Sequence, residues 1–431
     1  MTGAEYKKAG WITTGNIYEV NLRQYTKAGT FNSFLQELPR LKDMGVEILW
    51  FMPVTPIAQK NKKGELGSYY ACSDYTSVNP EFGTLDDFKN LVKHAQKMGF
   101  KIIMDWVANH TGWDHTWTTA HPDFYLRDAV TNDFKKASGM EDIIELDYHN
   151  AGLRTAMIAA MEFWIHACDI DGFRCDLAFW VQLDFWEEAR SALQKRKTLL
   201  WLGEFDPLDN PEYCTVFDVA YTWTWMHKTE GFYKKNGTLN LLKEVLEQYR
   251  TVCGNKSIPL WFSSNHDENS WNGTEYEKYG DMAIALAVFS FTWNGMPLIY
   301  SGQELPNKKR LRFFEKDIIE WTDKYELHEF YKTLLALRRT NTALRAGDST
   351  VHTGFLKTNA DDRVLAFLRK NDSDSLLVLL NLSDEKVNCK LNDIHLAGSF
   401  TNAFTHLKEE LNKENVFDLP AWGYRVYENR V

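Results

Sequence analysis

The sequence of 431 residues contains no uninterrupted run of about 18 apolar residues, the length that a membrane-spanning helix needs. Its first residues, MTGAEYKKAGWITTG, contain no apolar segment of a secretory signal. Basic residues are outnumbered, and the formal net charge is -10. This charge balance implies no broad basic surface, which argues against nucleic acid or an anionic membrane as a partner.

Cysteines are few and dispersed, and no C-x-x-C pair occurs. Such a distribution predicts free thiols rather than a disulfide framework, and it favours a reducing, cytoplasmic location. The six positions are Cys72, Cys168, Cys175, Cys214, Cys253 and Cys389.

Aromatic residues are abundant, at 14% of the chain with 16 tryptophans. Large rings fill hydrophobic cores, and they also form flat platforms against the apolar faces of sugars. Composition alone does not separate these two uses.

Short apolar runs of four to eight residues alternate with longer amphipathic segments, as in FNSFLQELPRLKDMG and TLDDFKNLVKHAQKMG. Both of these end at a glycine, Gly45 and Gly99, as helices commonly do. The apolar runs show little alternation, which is typical of buried parallel strands. They begin near Asn16, Glu47, Lys101, Gly172, Thr198, Val216, Leu260 and Met296. Eight strand–helix units predict an α/β fold, a (β/α)8 TIM barrel.

The pattern is interrupted once and changes once. Between residues 109 and 145 it breaks into aromatic and polar residues, which predicts a small inserted subdomain after the third strand. After residue 345, short strands such as RVLAFLRKND and SLLVLLNLSD are separated by polar turns, which predicts a C-terminal antiparallel β domain. We therefore assign residues 1–108 and 146–345 to the barrel and 346–431 to the C-terminal domain.

Acidic and hydrogen-bonding residues stand where several strands end. The third strand ends in DWVANH, the fourth in GFRCD, the fifth in WLGE and the seventh in SSNHDE. The carboxyl ends of barrel strands converge on one mouth, so these side chains should meet there. They are Asp105, Asn109, His110, Arg174, Asp176, Glu204, Asn265, His266 and Asp267.

This set suits cleavage of a glycosidic bond, which needs one carboxylate at the sugar C1 and one carboxylic acid at the leaving oxygen. Arg174 lies two residues before Asp176, so both point to one side of a strand and the cation keeps Asp176 ionised as a nucleophile. Apolar neighbours of Glu204 would raise its pKa toward an acid role. Asp267 and two neutral histidines, His110 and His266, would hold sugar hydroxyls.

Each residue taken alone has an ordinary structural explanation. An acidic residue at a strand end is usually a helix cap or a surface charge, an isolated histidine is usually structural, and Arg174 with Asp176 could form a plain ion pair. The joint arrangement is what points to catalysis.

At these residues the chain resembles the α-amylase family of glycoside hydrolases, and the resemblance spans nearly the whole sequence. DWVANH, GFRCD, GE at 203–204 and NHD at 265–267 look like the first four signatures of that family. The upstream stretch SYYACSDYTSVNPEFGT is similar to the loop that follows the family's second strand.

The resemblance implies a retaining mechanism through a covalent glycosyl-enzyme. It assigns the nucleophile to Asp176, the general acid/base to Glu204 and the transition-state stabiliser to Asp267. It implies substrate binding by Tyr70, which takes the place of a stacking tyrosine, and by Asp105, His110, Arg174 and His266.

The chain departs from the family at two places. Phe179 and Trp180 stand where many members have a Lys-His pair that helps to bind substrate and calcium. IELDYHN stands where PDLN is common, with Glu145 and Asp147. Asn109, which members with calcium use, is retained. We expect no cofactor for the chemistry itself, and the sequence leaves calcium at Asn109 open.

Several aromatic residues are candidate sugar platforms with core packing as the alternative. They are Trp113, Trp117, Tyr125, Tyr148 and Trp180.

The predicted function is hydrolysis of α-glucosidic bonds, mainly α-1,4, in starch, glycogen or maltooligosaccharides. Transfer to a sugar, α-glucosidase action and phosphorolysis use the same glycosyl-enzyme and stay open. An inactive glycan-binding or transporter-associated relative is a further alternative, although such relatives usually lack part of the catalytic set, which is complete here.

Overall fold

The computed structural model describes residues 6–322, 324–392, 398–412 and 414–430. Eight parallel strands close into a barrel in which each strand pairs with the next along the chain and the last pairs with the first. These strands, β1 to β8, are Ile17–Val20, Ile48–Phe51, Lys101–Trp106, Gly172–Cys175, Leu200–Gly203, Val219–Tyr221, Ile258–Trp261 and Met296–Tyr300. The predicted TIM barrel is confirmed.

Burial explains why these strands read as continuous apolar runs. Apart from Lys101, every residue of the eight strands is buried. Side chains on one strand face contribute to the barrel interior, and those on the other pack under the surrounding helices.

Helices surround the barrel and fill the connections between its strands. Their bounds are Leu22–Tyr25, Phe31–Phe34, Leu38–Met44, Leu85–Lys97, Thr116–Ala120, Ala151–Cys168, Leu183–Leu193, Trp223–Tyr233, Leu239–Cys253, Glu275–Tyr279, Met282–Thr292 and His328–Thr340. The helix that starts at Leu85 is capped by Thr84, whose side chain accepts from the backbone N–H of Asp87. Gly45 follows the helix Leu38–Met44 with φ 102, a left-handed conformation that suits glycine.

The segment after β3 forms a compact insertion over the mouth of the barrel. Its strand His110–Gly112 pairs in antiparallel fashion with Ile143–Glu145, and the short helix Thr116–Ala120 lies between them. The chain then returns to the barrel through the helix that starts at Ala151. The limits of this insertion, residues 109 and 145, stay a prediction from the sequence.

The C-terminal part is an antiparallel β domain, as predicted. Its strands, β9 to β16, are His352–Phe355, Val364–Lys370, Asp374–Asn381, Val387–Lys390, Gly398–Asn402, Lys408–Leu411, Val416–Leu419 and Tyr424–Arg430. Six of them form one sheet in the order β9-β10-β11-β16-β13-β14, and β12 pairs with β15. The sheet packs against the barrel, where Trp293 stacks on Phe355 at 5.1 Å and accepts a hydrogen bond at its carbonyl from Arg369 at 2.9 Å.

All six cysteines lie in the described ranges, are buried and form no disulfide. Among the described helices, none combines the length and the apolar character that crossing a bilayer requires.

Candidate active site

A cavity of about 400 Å³ opens at the carboxyl ends of the barrel strands. Its volume lies in the range of ligand sites in proteins. It is lined by Lys63, Ser68, Tyr70, His110, Met140, Asp142, Ile143, Asp176, Leu177, Glu204, Asp267, Trp271, Phe313 and Phe314. The predicted carboxylates Asp176, Glu204 and Asp267 therefore do meet in one cavity.

Arg174, on β4, connects three carboxylates beneath this cavity. Its guanidinium lies 2.9 Å from Asp105 Oδ1, 3.0 Å from Asp176 Oδ1 and 2.7 Å from Glu204 Oε2. The Arg174 side chain is fully buried. Backbone pairing explains part of this convergence, because Asp105 on β3 lies directly beside Arg174 in the barrel register.

The contact between Arg174 and Glu204 differs from the expectation of an apolar surround for Glu204. The carboxylate also accepts a hydrogen bond from the backbone N–H of Leu177 at 2.8 Å. Leu177 reaches this position in a left-handed conformation, with φ 40, which is uncommon for a leucine. Residues in such conformations tend to cluster at functional sites.

The Asp176 carboxyl is buried close to the carboxylate of Glu204. Burial, and then the charge of Glu204, raise the pKa of Asp176 well above its usual range, although Arg174 acts in the opposite direction. This direction opposes the expectation that the nearby cation of Arg174 keeps Asp176 ionised.

The pKa of His266 is raised, which opposes the expectation of a neutral donor. Burial lowers the pKa of His266, but the charges of Asp267 and Glu19 outweigh burial, so the pKa lies well above its usual value. Nδ1 lies 2.5 Å from Glu19 Oε1, and Nε2 lies 2.7 Å from the Tyr70 hydroxyl. With both nitrogens protonated, His266 donates to Tyr70, whose hydroxyl donates to Asp105 at 3.0 Å.

Asp267 is ionised and available to a ligand. Burial acts to raise its pKa, but His266 at 3.3 Å outweighs that effect and the pKa is lowered. The Asp267 side chain remains 38% exposed and faces the cavity. It is thus a charged acceptor open to hydroxyl groups.

His110 is neutral, as predicted, because burial lowers its pKa to about 4. It lines the cavity, and its Nε2 has no hydrogen-bond partner within the part of the chain that the structure describes. A buried polar nitrogen of this kind is costly unless a ligand satisfies it.

An aromatic wall borders the cavity and was not predicted from the sequence. Phe313 stacks on Tyr70 with centroids 6.3 Å apart, and Trp271 packs against Phe313 at 5.3 Å. Trp271 is 52% exposed, so its ring is available to a ligand. In the sequence, the position of Trp271 four residues after Asp267 was the one indication that its ring lies near the site.

The predicted sugar platforms fall into two groups. Trp113, Tyr125 and Tyr148 are buried, and Tyr148 donates to the Ala108 carbonyl at 2.7 Å, so these rings belong to the core. Trp117 is partly buried and packs against core aromatics. Trp180 is 39% exposed.

Phe179, the neighbour of Trp180, is 37% exposed, and the two residues follow Leu177, which lines the catalytic cavity, by two and three positions in the sequence. Trp180 also lines a second cavity with Asn109, Lys135 and Glu145.

This second cavity contains the residue that the family resemblance would assign to calcium, and its residues do not fit that ion. Calcium takes six to eight oxygen ligands. Here the Glu145 carboxylate is already paired with the Lys135 ammonium at 2.8 Å, and Lys136 also lines the cavity with Asn109. Among the described residues, the one group of three His, Asp or Glu that could share an ion lies elsewhere, on the surface at Asp43.

Comparison with known proteins agrees with this geometry. The family model of the α-amylase catalytic domain matches residues 13–138 and 122–317. The model of the maltogenic amylase C-terminal domain matches residues 354–426.

Individual relatives match over most of the chain. Alpha-amylase 2 of Dictyoglomus thermophilum is 25% identical over 90% of this chain and 70% of that protein. Alpha-amylase MalA of Haloarcula japonica is 25% identical over 88% of this chain, which spans only 57% of that protein. A solved structure of a noncanonic maltogenic α-amylase, AmyB from Thermotoga neapolitana, is 27% identical, covers 97% of this chain and 99% of its own, and superposes with a TM-score of 0.89.

Proposed function

Because the chain belongs to the α-amylase family of glycoside hydrolases, we propose that it hydrolyses α-1,4-glucosidic bonds in starch-type glucans and maltooligosaccharides with retention of configuration. The observation that carries this proposal is the contact of one guanidinium, that of Arg174, with both Asp176 and Glu204. Two carboxylates held so close suit the short separation of retaining enzymes, in which one of them attacks C1 directly.

In the first step, Glu204 donates its proton to the glycosidic oxygen while the Asp176 carboxylate attacks C1. The C1–O bond to the leaving sugar breaks, and a covalent bond between C1 and Asp176 forms. Inversion at C1 gives a β-linked glycosyl-enzyme.

In the second step, Glu204 acts as a base. It takes a proton from water, the water oxygen attacks C1, and the bond between C1 and Asp176 breaks. The second inversion restores the α configuration, and Glu204 regains its proton.

Other cavity residues bind the sugar at C1 in this proposal. Asp267 and His110 hold hydroxyl groups, because one is a charged acceptor and the other has an unused ring nitrogen. Tyr70 offers a ring face to the sugar while its hydroxyl stays fixed between His266 and Asp105.

Transfer of the glycosyl group to a second sugar is the competing outcome. Phe179 and Trp180 follow the cavity-lining Leu177 by two and three residues and have exposed rings, which would offer a sugar acceptor an apolar surface in place of water.

Chromatography of the products tests both outcomes. Maltooligosaccharides and starch should be cleaved, whereas trehalose and sucrose should not. Pullulan reports on linkage preference. Repeating the reaction with added glucose or phosphate separates transfer and phosphorolysis from hydrolysis. No cleavage of any α-1,4-glucan would refute the proposal.

A further inference from the structure

One side of the catalytic cavity is closed by an ion pair between two loops. Lys63 lies on the loop after β2, and Asp142 lies on the insertion after β3. Lys63 Nζ is 2.7 Å from Asp142 Oδ1, and both residues line the cavity. Asp142 is 4% exposed. A buried carboxylate is costly without a partner, and the Lys63 ammonium supplies the opposite charge for Asp142.

An apolar cluster beneath the ion pair holds the same two loops together. Ala58 and Ala71 come from the loop after β2, and Ala137 and Ile143 come from the insertion. The backbones are in close contact, since a Cβ on Gly112 would lie 2.0 Å from the Ala58 Cβ. The two loops therefore form one preformed wall.

The other flank of the wall rests on the segment after β8. The backbone N–H of Leu66 donates to the Phe314 carbonyl at 2.8 Å, and a Cβ on Gly64 would lie 2.4 Å from the Phe314 Cβ. The loop that carries Lys63 is thus held on both sides and cannot easily swing away from the cavity.

The barrel topology places this wall opposite the general acid. Its elements follow β8, β2 and β3. In the closed barrel β8 and β2 flank β1, and β3 lies next to β2, whereas Glu204 follows β5, which lies four strands from β1 in either direction. The leaving sugar lies toward Glu204, which protonates it. The wall therefore lies beyond the sugar that becomes attached to Asp176.

We propose that the Lys63–Asp142 bridge closes the donor end of the cavity, so that the enzyme cleaves from the non-reducing ends of glucan chains and maltooligosaccharides. This inference rests on the proposed function. Both residues line the same cavity of about 400 Å³ as Asp176 and Glu204, so the bridge faces the reacting sugar. The charged atoms of Lys63 and Asp142 also offer hydrogen bonds to the hydroxyls of a terminal glucosyl unit.

A blocked substrate tests the inference directly. Nitrophenyl maltoheptaoside is compared with the same compound carrying an ethylidene group on its non-reducing terminal sugar, and the products are resolved by chromatography. The wild-type enzyme should cleave the blocked compound about tenfold more slowly or worse, because the bulky end group meets the wall.

Variants then identify the bridge. Lys63→Ala and Asp142→Ala should each raise the blocked-to-free rate ratio by about tenfold, and the combined exchange Lys63→Asp with Asp142→Lys should restore the wild-type ratio. Lys62→Ala is the matched control, because this neighbouring lysine does not line the cavity. Its ratio should stay unchanged.

These experiments distinguish failure of the closed donor end from failure of the proposed α-1,4-glucan hydrolysis. Equal wild-type rates on both compounds would overturn the inference and leave the proposed function intact, and this comparison needs no variant that might misfold. An unchanged ratio in folded Lys63→Ala and Asp142→Ala would also overturn it. Cleavage of neither compound would contradict the proposed function itself.

Discussion

Leu177, the residue directly after the candidate nucleophile Asp176, donates its backbone N–H to Glu204 Oε2 at 2.8 Å. The left-handed turn at Leu177 thus aims a backbone dipole from the nucleophile's loop at the carboxyl of the general acid. The same carboxyl contacts Arg174, which also contacts Asp176, so the positions of Asp176 and Glu204 are linked through fixed groups.

The separate roles of the two carboxylates predict different azide chemistry. Asp176→Ala and Glu204→Ala should each lose at least about 10²–10⁴-fold in hydrolysis. Added azide should attack the face opened by the missing group. It should yield a β-glycosyl azide with Asp176→Ala and an α-glycosyl azide with Glu204→Ala, as NMR of the product shows. Near-wild-type hydrolysis in either variant, or the same anomer from both, would refute the roles.

The charge on His266 depends on Glu19. In Glu19→Gln, one of the two carboxylates that raise the pKa of His266 is neutral, so the imidazole should lose its proton at a lower pH. NMR titration of the ring nitrogens measures this shift. The neutral His110, with a pKa near 4, serves as an internal reference that should not move. An unchanged His266 titration would contradict the predicted coupling.

Glu275 makes stability depend on pH. Burial raises its pKa from 4.5 to about 7, although its Oε2 lies 2.6 Å from both Ser263 Oγ and Gln303 Nε2. A carboxyl with a raised folded pKa gives its full stabilisation below its unfolded pKa, and that stabilisation is lost as the pH rises through about 7.

Glu275→Gln, which cannot ionise, should therefore gain stability relative to the wild type between pH 5 and pH 8, by roughly 1–3 kcal/mol. Thermal melts at the two pH values measure the difference. Glu277→Gln, on the same helix, is the control. Its carboxylate is exposed and its pKa is lowered, first by Arg310, so this variant should show no such gain. A constant offset for Glu275→Gln at both pH values would contradict the prediction.

Calcium should be dispensable. The Lys135 ammonium already neutralises Glu145 in the cavity that contains Asn109. Dialysis against EDTA should leave the melting temperature and the rate of maltooligosaccharide cleavage unchanged. A fall in either value that calcium alone reverses would show that the cavity binds the ion after all.

The barrel and the central carboxylates were predictable because their signals are local. Buried strands appear as continuous apolar runs, and parallel strand ends converge wherever the barrel closes, so Asp176 and Glu204 had to meet. The C-terminal sheet was equally predictable from its short strands and polar turns. The cytoplasmic location of the protein and the boundaries of its domains stay predictions.

The remaining features depend on contacts between distant segments. Glu19 lies 247 residues from His266 in the sequence, and nothing local shows that it charges the imidazole. Glu19 did stand in the first strand, NIYEV, as an acidic residue among apolar neighbours. Trp271 and the Lys63–Asp142 bridge depend on how loops from different strands pack, which no periodicity encodes.

In the proposed mechanism, Asp176 becomes covalently attached to the sugar. The most direct measurement is mass spectrometry of Glu204→Gln after incubation with α-maltosyl fluoride. Fluoride leaves without an acid, and without the base the intermediate should accumulate. We expect the peptide containing Asp176 to gain one maltosyl unit, and the additional change Asp176→Asn to abolish the gain. A folded enzyme that turns over the fluoride without any adduct, or with the sugar on another residue such as Asp267, would contradict the account.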